Sequence, residues 1–284
     1  MNNYIIKEDT IIFSPYYDYS IDVNLLGLYN KIIFSDYELK SDYDNLKKYI
    51  GSIFNQPVVL PENITLITFG NYFNQPIILP KNLLDLTFGF KFNQPIVLSE
   101  KITHLTFGCC FNQAIELPKN ITHLTFGYYF NQSVELPENI TQLTFGSYFN
   151  QPIVLSEKIT HLTFGNDFNQ SVELPPNLTH LTFGYNFNQS VELPENITHL
   201  TFGKHFNQKV DFPFGIKYIK LSNDEPHNLD YLPVGIEVLE LDEYFNSPLD
   251  NLPNSLLVIK LSKYYEGSLK CIHHNTKVEY YEEQ

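Results

Sequence analysis

The string FNQPIVLSEKITHLTFG fills residues 92–108, and the same letters fill residues 149–165 without a change. Its opening triplet, Phe-Asn-Gln, begins at positions 54, 73, 92, 111, 130, 149, 168, 187 and 206, always 19 residues after the last. The offset of 57 between the two identical strings is three such periods, as a duplicated block of three units would leave. Self-similarity at a fixed period near 20 residues is the signature of stacked supersecondary units, each burying its apolar side against the next. Catalytic sites are seldom multiplied in register, so the pattern describes an architecture before it describes a chemistry.

One unit, residues 111–129, reads FNQAIELPKNITHLTFGYY. Within it ITHLTF is rich in β-branched and aromatic residues and is followed by Gly127, which predicts a short strand. Ile121, Leu124 and Phe126 follow the apolar-x-x-apolar-x-apolar spacing of a leucine-rich repeat and should point inward, with Phe111, Ile115 and Leu117 completing the core ring. Nineteen residues leave no room for a real helix, and Pro118 would break one. The return side should therefore be extended or 3-10. The expected fold is a right-handed, β-rich leucine-rich-repeat solenoid of about eleven coils with small caps at both ends.

Residues 1–52 read as an irregular amino-terminal cap with one short helix over SDYDNLKKYI (41–50), preceded by a strand in KIIFSDY (31–37). Residues 53–265 form the solenoid. Its period loosens to about 20 past residue 210, where Ile216-Ile219-Leu221, Ile236-Leu239-Leu241 and Leu256-Ile259-Leu261 repeat the strand pattern and Phe245-Asn246 is a degenerate Phe-Asn. Residues 266–284 form a carboxy-terminal cap whose TKVEYYEEQ is a last strand with a charged end.

The apolar fraction of 43% suffices for a core, and the net charge is −14 with no lysine cluster. Phosphate recognition needs dense cationic groups, so nucleic acid and anionic membranes are not expected partners. Three cysteines, Cys109, Cys110 and Cys271, suit reduced thiols and a cytoplasmic setting. MNNYIIKEDTIIF lacks the basic region and apolar stretch of a signal peptide, and no apolar run reaches the ~18 residues of a membrane helix. Asn-x-Ser/Thr sequons at Asn63, Asn120, Asn139, Asn177 and Asn196, and at Asn131, Asn169 and Asn188, read as by-products of the repeat.

Asn74, Asn93, Asn112, Asn131, Asn150, Asn169, Asn188 and Asn207 each sit where the chain leaves a strand. A side-chain amide there can satisfy backbone groups of its own coil and of the next, which predicts an asparagine ladder.

These units resemble the FNIP repeat, a leucine-rich-repeat variant of social amoebae and giant DNA viruses. The resemblance rests on FNQPI, then LP, then N-I-T-x-L-T-F-G, and covers residues 54–262. Family units typically run to about 22 residues, so these coils are tighter. The resemblance implies a protein-interaction module without enzymatic activity. Many family members carry an amino-terminal F-box that docks a ubiquitin-ligase core, but residues 1–50 show neither its Leu-Pro nor its amphipathic helix.

In each strand the residues flanking Leu should face outward. The position before it reads Leu66, Asp85, His104, His123, Gln142, His161, His180 and His199, and the position after it is Thr from Thr68 to Thr201. Five histidines thus share a column beside a column of threonines. A metal site needs convergent ligands, and a straight ladder without nearby cysteine or carboxylate offers at most adjacent pairs, so no metal and no cofactor are expected. A pH-responsive face, an ice-binding array and a ladder merely copied with the repeat are the other readings.

The two positions after each strand glycine vary most: Asn71-Tyr72, Phe90-Lys91, Cys109-Cys110, Tyr128-Tyr129, Ser147-Tyr148, Asn166-Asp167, Tyr185-Asn186 and Lys204-His205. A rim of exposed aromatic and polar residues beside a regular sheet is a way to read a partner. The column Glu116, Glu135, Glu173, Glu192 on the return side should keep that face wet. No phosphate loop or Gly-x-Ser-x-Gly elbow is present, His273-His274 has no partner motif, and no catalytic residue is expected.

The expected function is binding of an unidentified intracellular protein, a host protein if the source is viral, through the strand face (His104, His123, Gln142, His161, His180, His199) and the rim. A self-associating structural protein, with a homodimer possible, and a ubiquitin-ligase substrate adaptor without a recognisable F-box are the alternatives.

Overall fold

The computed structural model describes residues 4–36, 51–221, 232–242, 245, 249, 252–270 and 272–281. The helix expected over 41–50, Asn246 and Cys271 lie outside the described residues. The chain divides into two compact units, residues 1–146 and 147–284.

In the first unit, β1 (Tyr4–Lys7) and β2 (Thr10–Phe13) form an antiparallel hairpin. Glu8 in its two-residue loop takes φ 51, the left-handed conformation such a tight turn demands. A single helical turn, α1 (Val23–Leu26), starts where the Asp22 carboxylate accepts the Asn24 N–H at 2.9 Å. From β2 onward pairing is parallel, through β3 (Lys31–Phe34), β4 (Leu66–Thr68), β5 (Asp85–Thr87), β6 (His104–Thr106), β7 (His123–Thr125) and β8 (Gln142–Thr144). The amino-terminal region is thus more regular than the irregular cap expected. Its apolar residues Ile11, Ile12, Phe13, Ile32 and Phe34 are buried like those of the repeats.

The second unit holds β9 (His161–Thr163), β10 (His180–Thr182), β11 (His199–Phe202), β12 (Tyr218–Leu221), β13 (Val238–Leu241), β14 (Val258–Ser262) and β15 (Lys277–Tyr281), all parallel and in register. Both units are β-rich, leucine-rich-type solenoid.

Two β-turns shape each repeat coil. In the reference unit the Ile121 N–H reaches the Pro118 carbonyl at 3.3 Å, and the Phe111 N–H reaches the Gly108 carbonyl at 3.3 Å. Proline suits the first turn because only its carbonyl is used. No helix forms on the return stretch between Phe111 and Pro118. Ile121, Leu124, Phe126 and Phe111 are fully buried. Ile115 and Leu117, expected to complete the core, are only half-buried. The phenylalanines supply the bulk instead, in two columns of parallel rings: Phe107 and Phe111 lie 3.8 Å apart within a turn, and Phe111 and Phe130 6.2 Å apart between coils.

Three side-chain and backbone devices set the pitch. The Asn112 backbone N–H donates to Asn93 Oδ1 at 2.9 Å, Asn131 repeats the bond to Asn112, and Gln113 Nε2 donates to the same Asn93 oxygen at 3.1 Å. One amide oxygen thereby uses both lone pairs on the next coil. Asp18 starts the ladder, accepting from the Asn55 N–H at 3.1 Å and Gln56 Nε2 at 3.0 Å. A second asparagine column, which the sequence reading took for sequons, donates from Nδ2 to the carbonyl of the coil before: Asn120 to Glu100 at 2.7 Å and Asn177 to Glu157 at 2.9 Å. The strand glycines complete the set. A Cβ on Gly127 would lie 1.9 Å from the Gly108 carbonyl oxygen, so only glycine permits this approach of coil to coil.

Candidate functional site

The strand face is built by the alternation of a three-residue strand. Leu124 points into the core, while His123 and Thr125 point away from it. In the first unit the outward column runs Leu66, Asp85, His104, His123, Gln142 in strict register. In the second it runs His161, His180, His199, Tyr218. His104, Gln142, His161 and His199 are exposed, and His123 and His180 are half-buried. Asp85, in register with His104, is a carboxylate in the same column, beside the first histidine.

The imidazoles stack face to face. Ring centres are 4.2 Å apart for His104–His123, His161–His180 and His180–His199, with interplanar angles of 17°, 13° and 8°. Each Nδ1 lies 2.8–3.0 Å from the hydroxyl of the preceding threonine, at Thr103, Thr122, Thr160, Thr179 and Thr198. At Thr103, Thr122, Thr179 and Thr198 the hydroxyl also reaches a carbonyl of the coil before, as Thr179 Oγ1 does to Thr160 at 3.0 Å and Thr198 Oγ1 to Thr179 at 3.2 Å.

One hydroxyl proton serves one acceptor at a time. When threonine donates to the carbonyl, it accepts from Nδ1–H. The same arrangement accommodates a charged ring, because the threonine oxygen can accept from Nδ1–H in either protonation state. Two imidazolium charges 4.2 Å apart repel by about 1 kcal/mol even in the dielectric of water. Burial, then His199 and His161, holds His180 below the ordinary imidazole value. Burial raises Asp85 above the usual carboxylate value, partly countered by His104.

From β4 to β8, and again from β9 to β11, the outward strand positions carry no lysine or glutamate, and Asp85 is the one aspartate at those positions. At β12 the character changes. Glu240 sits between Lys220 at 2.8 Å and Lys260 at 3.2 Å and accepts from the Tyr218 hydroxyl at 2.9 Å. Burial would raise the Glu240 carboxyl, but the hydrogen bonds from Lys220, Tyr218 and Lys260 and the charge of Lys220 hold it below its ordinary value. Burial and the bond to Glu240 raise the Tyr218 phenol.

The rim has a fixed backbone. The second rim residue of each coil donates its N–H to the first rim residue of the coil before: Cys110 to Phe90 and Tyr129 to Cys109 at 2.9 Å, Asn186 to Asn166 at 2.8 Å and His205 to Tyr185 at 3.0 Å. Only side chains vary. Tyr128, Tyr129, Tyr148 and Tyr185 are each 43–44% exposed. Asn166 and His205 are exposed, while Asp167, Asn186 and Lys204 are half-buried. Local pairs order several of them: Tyr128 and Tyr129 meet edge to face at 5.0 Å, Tyr185 and His205 at 4.7 Å, and Asn186 Nδ2 donates to Asp167 at 3.1 Å.

The return side carries Glu116, Glu135, Glu173 and Glu192, all exposed. The same column holds Val59, Ile78, Val97 and Val154, which are 72%, 89%, 88% and 87% exposed. Their 19-residue spacing in the sequence is the signal that marks this exposed apolar set.

The family profile described as FNIP Repeat matches residues 54–91, 92–129, 111–135, 130–156, 149–186, 168–192, 187–224 and 226–264. No curated protein gives a match. Among solved structures the chain is similar to CroV588, described as a novel circular LRR protein, with 32% identity and a TM-score of 0.74. The match covers 98% of this chain and 51% of that one, so the chain spans about half the length of CroV588. No helix among the described residues is long and apolar enough to cross a membrane.

Proposed function

The chain belongs to the FNIP repeat family, and from that premise we propose that it is a non-enzymatic, intracellular module that binds another protein through the strand face and its rim. A repeat solenoid of this class is consistent with protein interaction, and one observation supports placing the contact here. In a chain of net charge −14, the strand face of the repeats is almost free of formal charge, being made of threonine, histidine and glutamine. Such a surface is desolvated at low cost and offers hydrogen-bonding groups at fixed intervals. The half-exposed tyrosines beside it are the residue type that anchors interfaces, and their backbone is already ordered.

The test compares two baits in lysate of the source or host cell. One is the native chain. The other carries Ser at His104, His123, His161, His180 and His199 and Ala at Tyr128, Tyr129, Tyr148 and Tyr185. A protein retained by the first and lost from the folded second supports this surface. Equal retention by both refutes it.

A further inference from the structure

On the return side of the second unit, away from the strand face, lie two depressions of about 610 Å³ and about 360 Å³. They share Ser190, Val191, Glu192 and Leu193, and so form one open trough across three coils. Alternation along the return stretch builds it. Leu174, Val191, Leu193 and Phe212 are buried or half-buried and make its apolar floor. Glu173, Glu192 and Asp211, each 19 residues after the last, are exposed and form one carboxylate column on consecutive coils. Among the described residues none of the three has a hydrogen-bond or ion-pair partner. Apolar side chains bound the column. Val154, one coil before Glu173, is 87% exposed, and Phe214, which lines the trough three residues past Asp211, is 88% exposed. Lys209 is the one cation in the lining.

We propose that this trough docks a basic amphipathic helix of a protein partner, lying along the stack of coils with its lysines or arginines against Glu173, Glu192 and Asp211 and apolar residues near its ends against Val154 and Phe214.

Charge sets the sign of the partner, because three carboxylates without cations of their own stand over an apolar floor. Spacing selects the helix. Coils stacked ~4.8 Å apart spread the three carboxylates over about 10 Å. A helix rising 1.5 Å per residue presents side chains i, i+4 and i+7 on one face over about 10.5 Å, in steps of ~5 Å. An extended segment repeats its face only every ~6.7 Å and falls out of step by the third carboxylate. The apolar edge of such a helix covers the floor, as in other helix-in-groove contacts. Each exposed ion pair is weak alone, so the charges align the helix while the apolar contacts add to its retention. The trough is a second surface, and a partner on it leaves the strand face and rim untouched.

Fluorescence anisotropy of the full chain with a labelled synthetic peptide tests the proposal at about 50 mM salt, where charge is only partly screened. The probe is a helical peptide of about 18 residues of Lys, Leu and Ala, long enough to form a helix, with Lys at i, i+4 and i+7 and Leu on the adjoining stripe. Its scrambled isomer has the same charge and no stripe. The native chain should bind the striped peptide with a Kd below ~100 µM and the scrambled one several-fold more weakly. The triple variant Glu173→Gln, Glu192→Gln, Asp211→Asn should lose about tenfold in affinity. Phe214→Ser should lose at least about threefold, and Lys209→Gln should bind more tightly. Removing as many carboxylates elsewhere, by Glu100→Gln, Glu116→Gln and Glu135→Gln, should leave binding as in the native chain. The proposal is overturned if the striped peptide does not bind below ~1 mM, if the scrambled isomer binds as well, or if the two triple variants lose affinity equally. Circular dichroism and urea melts that match the native chain establish that each variant is folded.

Discussion

Strands β9–β11 and β12–β15 belong to one unit and share one register, yet their outer faces follow opposite rules. The first three present His161, His180 and His199 in a stack, flanked by threonine. The last four present alternating charge, with Lys220, Glu240, Lys260 and Glu279 at equivalent positions along consecutive strands. The backbone differs as well. The near-identical coils have 19 residues and a strand glycine packed against the coil before, whereas the diverged coils carry Asp242 and Ser262 at the equivalent place. Identical neighbours can stack like on like through glycines, amides and flat rings. Once the copies diverge, complementary pairs must replace identical ones. The comparison teaches that the clone-like region is held by repetition itself, and the diverged region by specific partners.

The contrast is sharpest at glycine. Gly127→Ala forces a Cβ to within 1.9 Å of a backbone oxygen and should cost about 4 kcal/mol or more, the range of severe core lesions. Gly215→Ala, whose nearest atom would be 3.4 Å away, should stay within about 1 kcal/mol. Urea melts of the two variants measure the difference, and equal costs would erase the distinction.

The ladders come next. Asn112→Ala leaves the Asn131 N–H and the Gln132 amide without their acceptor, at a cost of about 2–3 kcal/mol. In the diverged region Glu240→Gln should cost about 1–2 kcal/mol at pH 7, because the Glu240 side chain is only 14% exposed and is weakly screened. The sign follows from its depressed carboxyl. That stabilisation is complete above the ordinary value of 4.5 and is lost as the pH falls through the lower folded value. The two proteins should therefore converge in stability in acid, and a gap that persists would show that the carboxylate charge is not what matters.

The smallest effect concerns the stack. His180 is held below the ordinary imidazole value, so the unfolded chain binds the proton more readily. Its contribution is complete above about pH 6.5 and fades as the pH drops through the folded value. The melting temperature of the native chain should fall slightly more between pH 7.5 and 5.5 than that of His180→Gln.

Much of this was legible in the residues. The 19-residue period, the apolar spacing of Ile121-Leu124-Phe126 and the recurrence of Asn after Phe predict the coil, its core stripe and the first ladder. What escaped has physical reasons. Ile115 and Leu117 look like core, but the two phenylalanine columns already fill the interior. Asn120 and its equivalents carry the same period as Asn112, yet their pairing with threonine resembles a sequon and hid a second ladder. Asp18 reaches Asn55 and Gln56 across 37 and 38 residues, a distance at which no local spacing rule operates. For the site, the histidine column could be read from period and strand alternation. The threonine bonds to Nδ1 could not, because they depend on side-chain rotamers.

The central structural claim is that side-chain ladders lock the repeated coils and so fix the face they present. Residue-resolved hydrogen exchange tests it most directly. The backbone amides of Asn93, Asn112 and Asn131 donate to side-chain oxygens of the preceding coil. If the ladders hold the coils, these amides exchange as slowly as those of Leu105 and Leu124 in the strands. Exchange at the rate of an open loop, with the strands still protected, would contradict the claim.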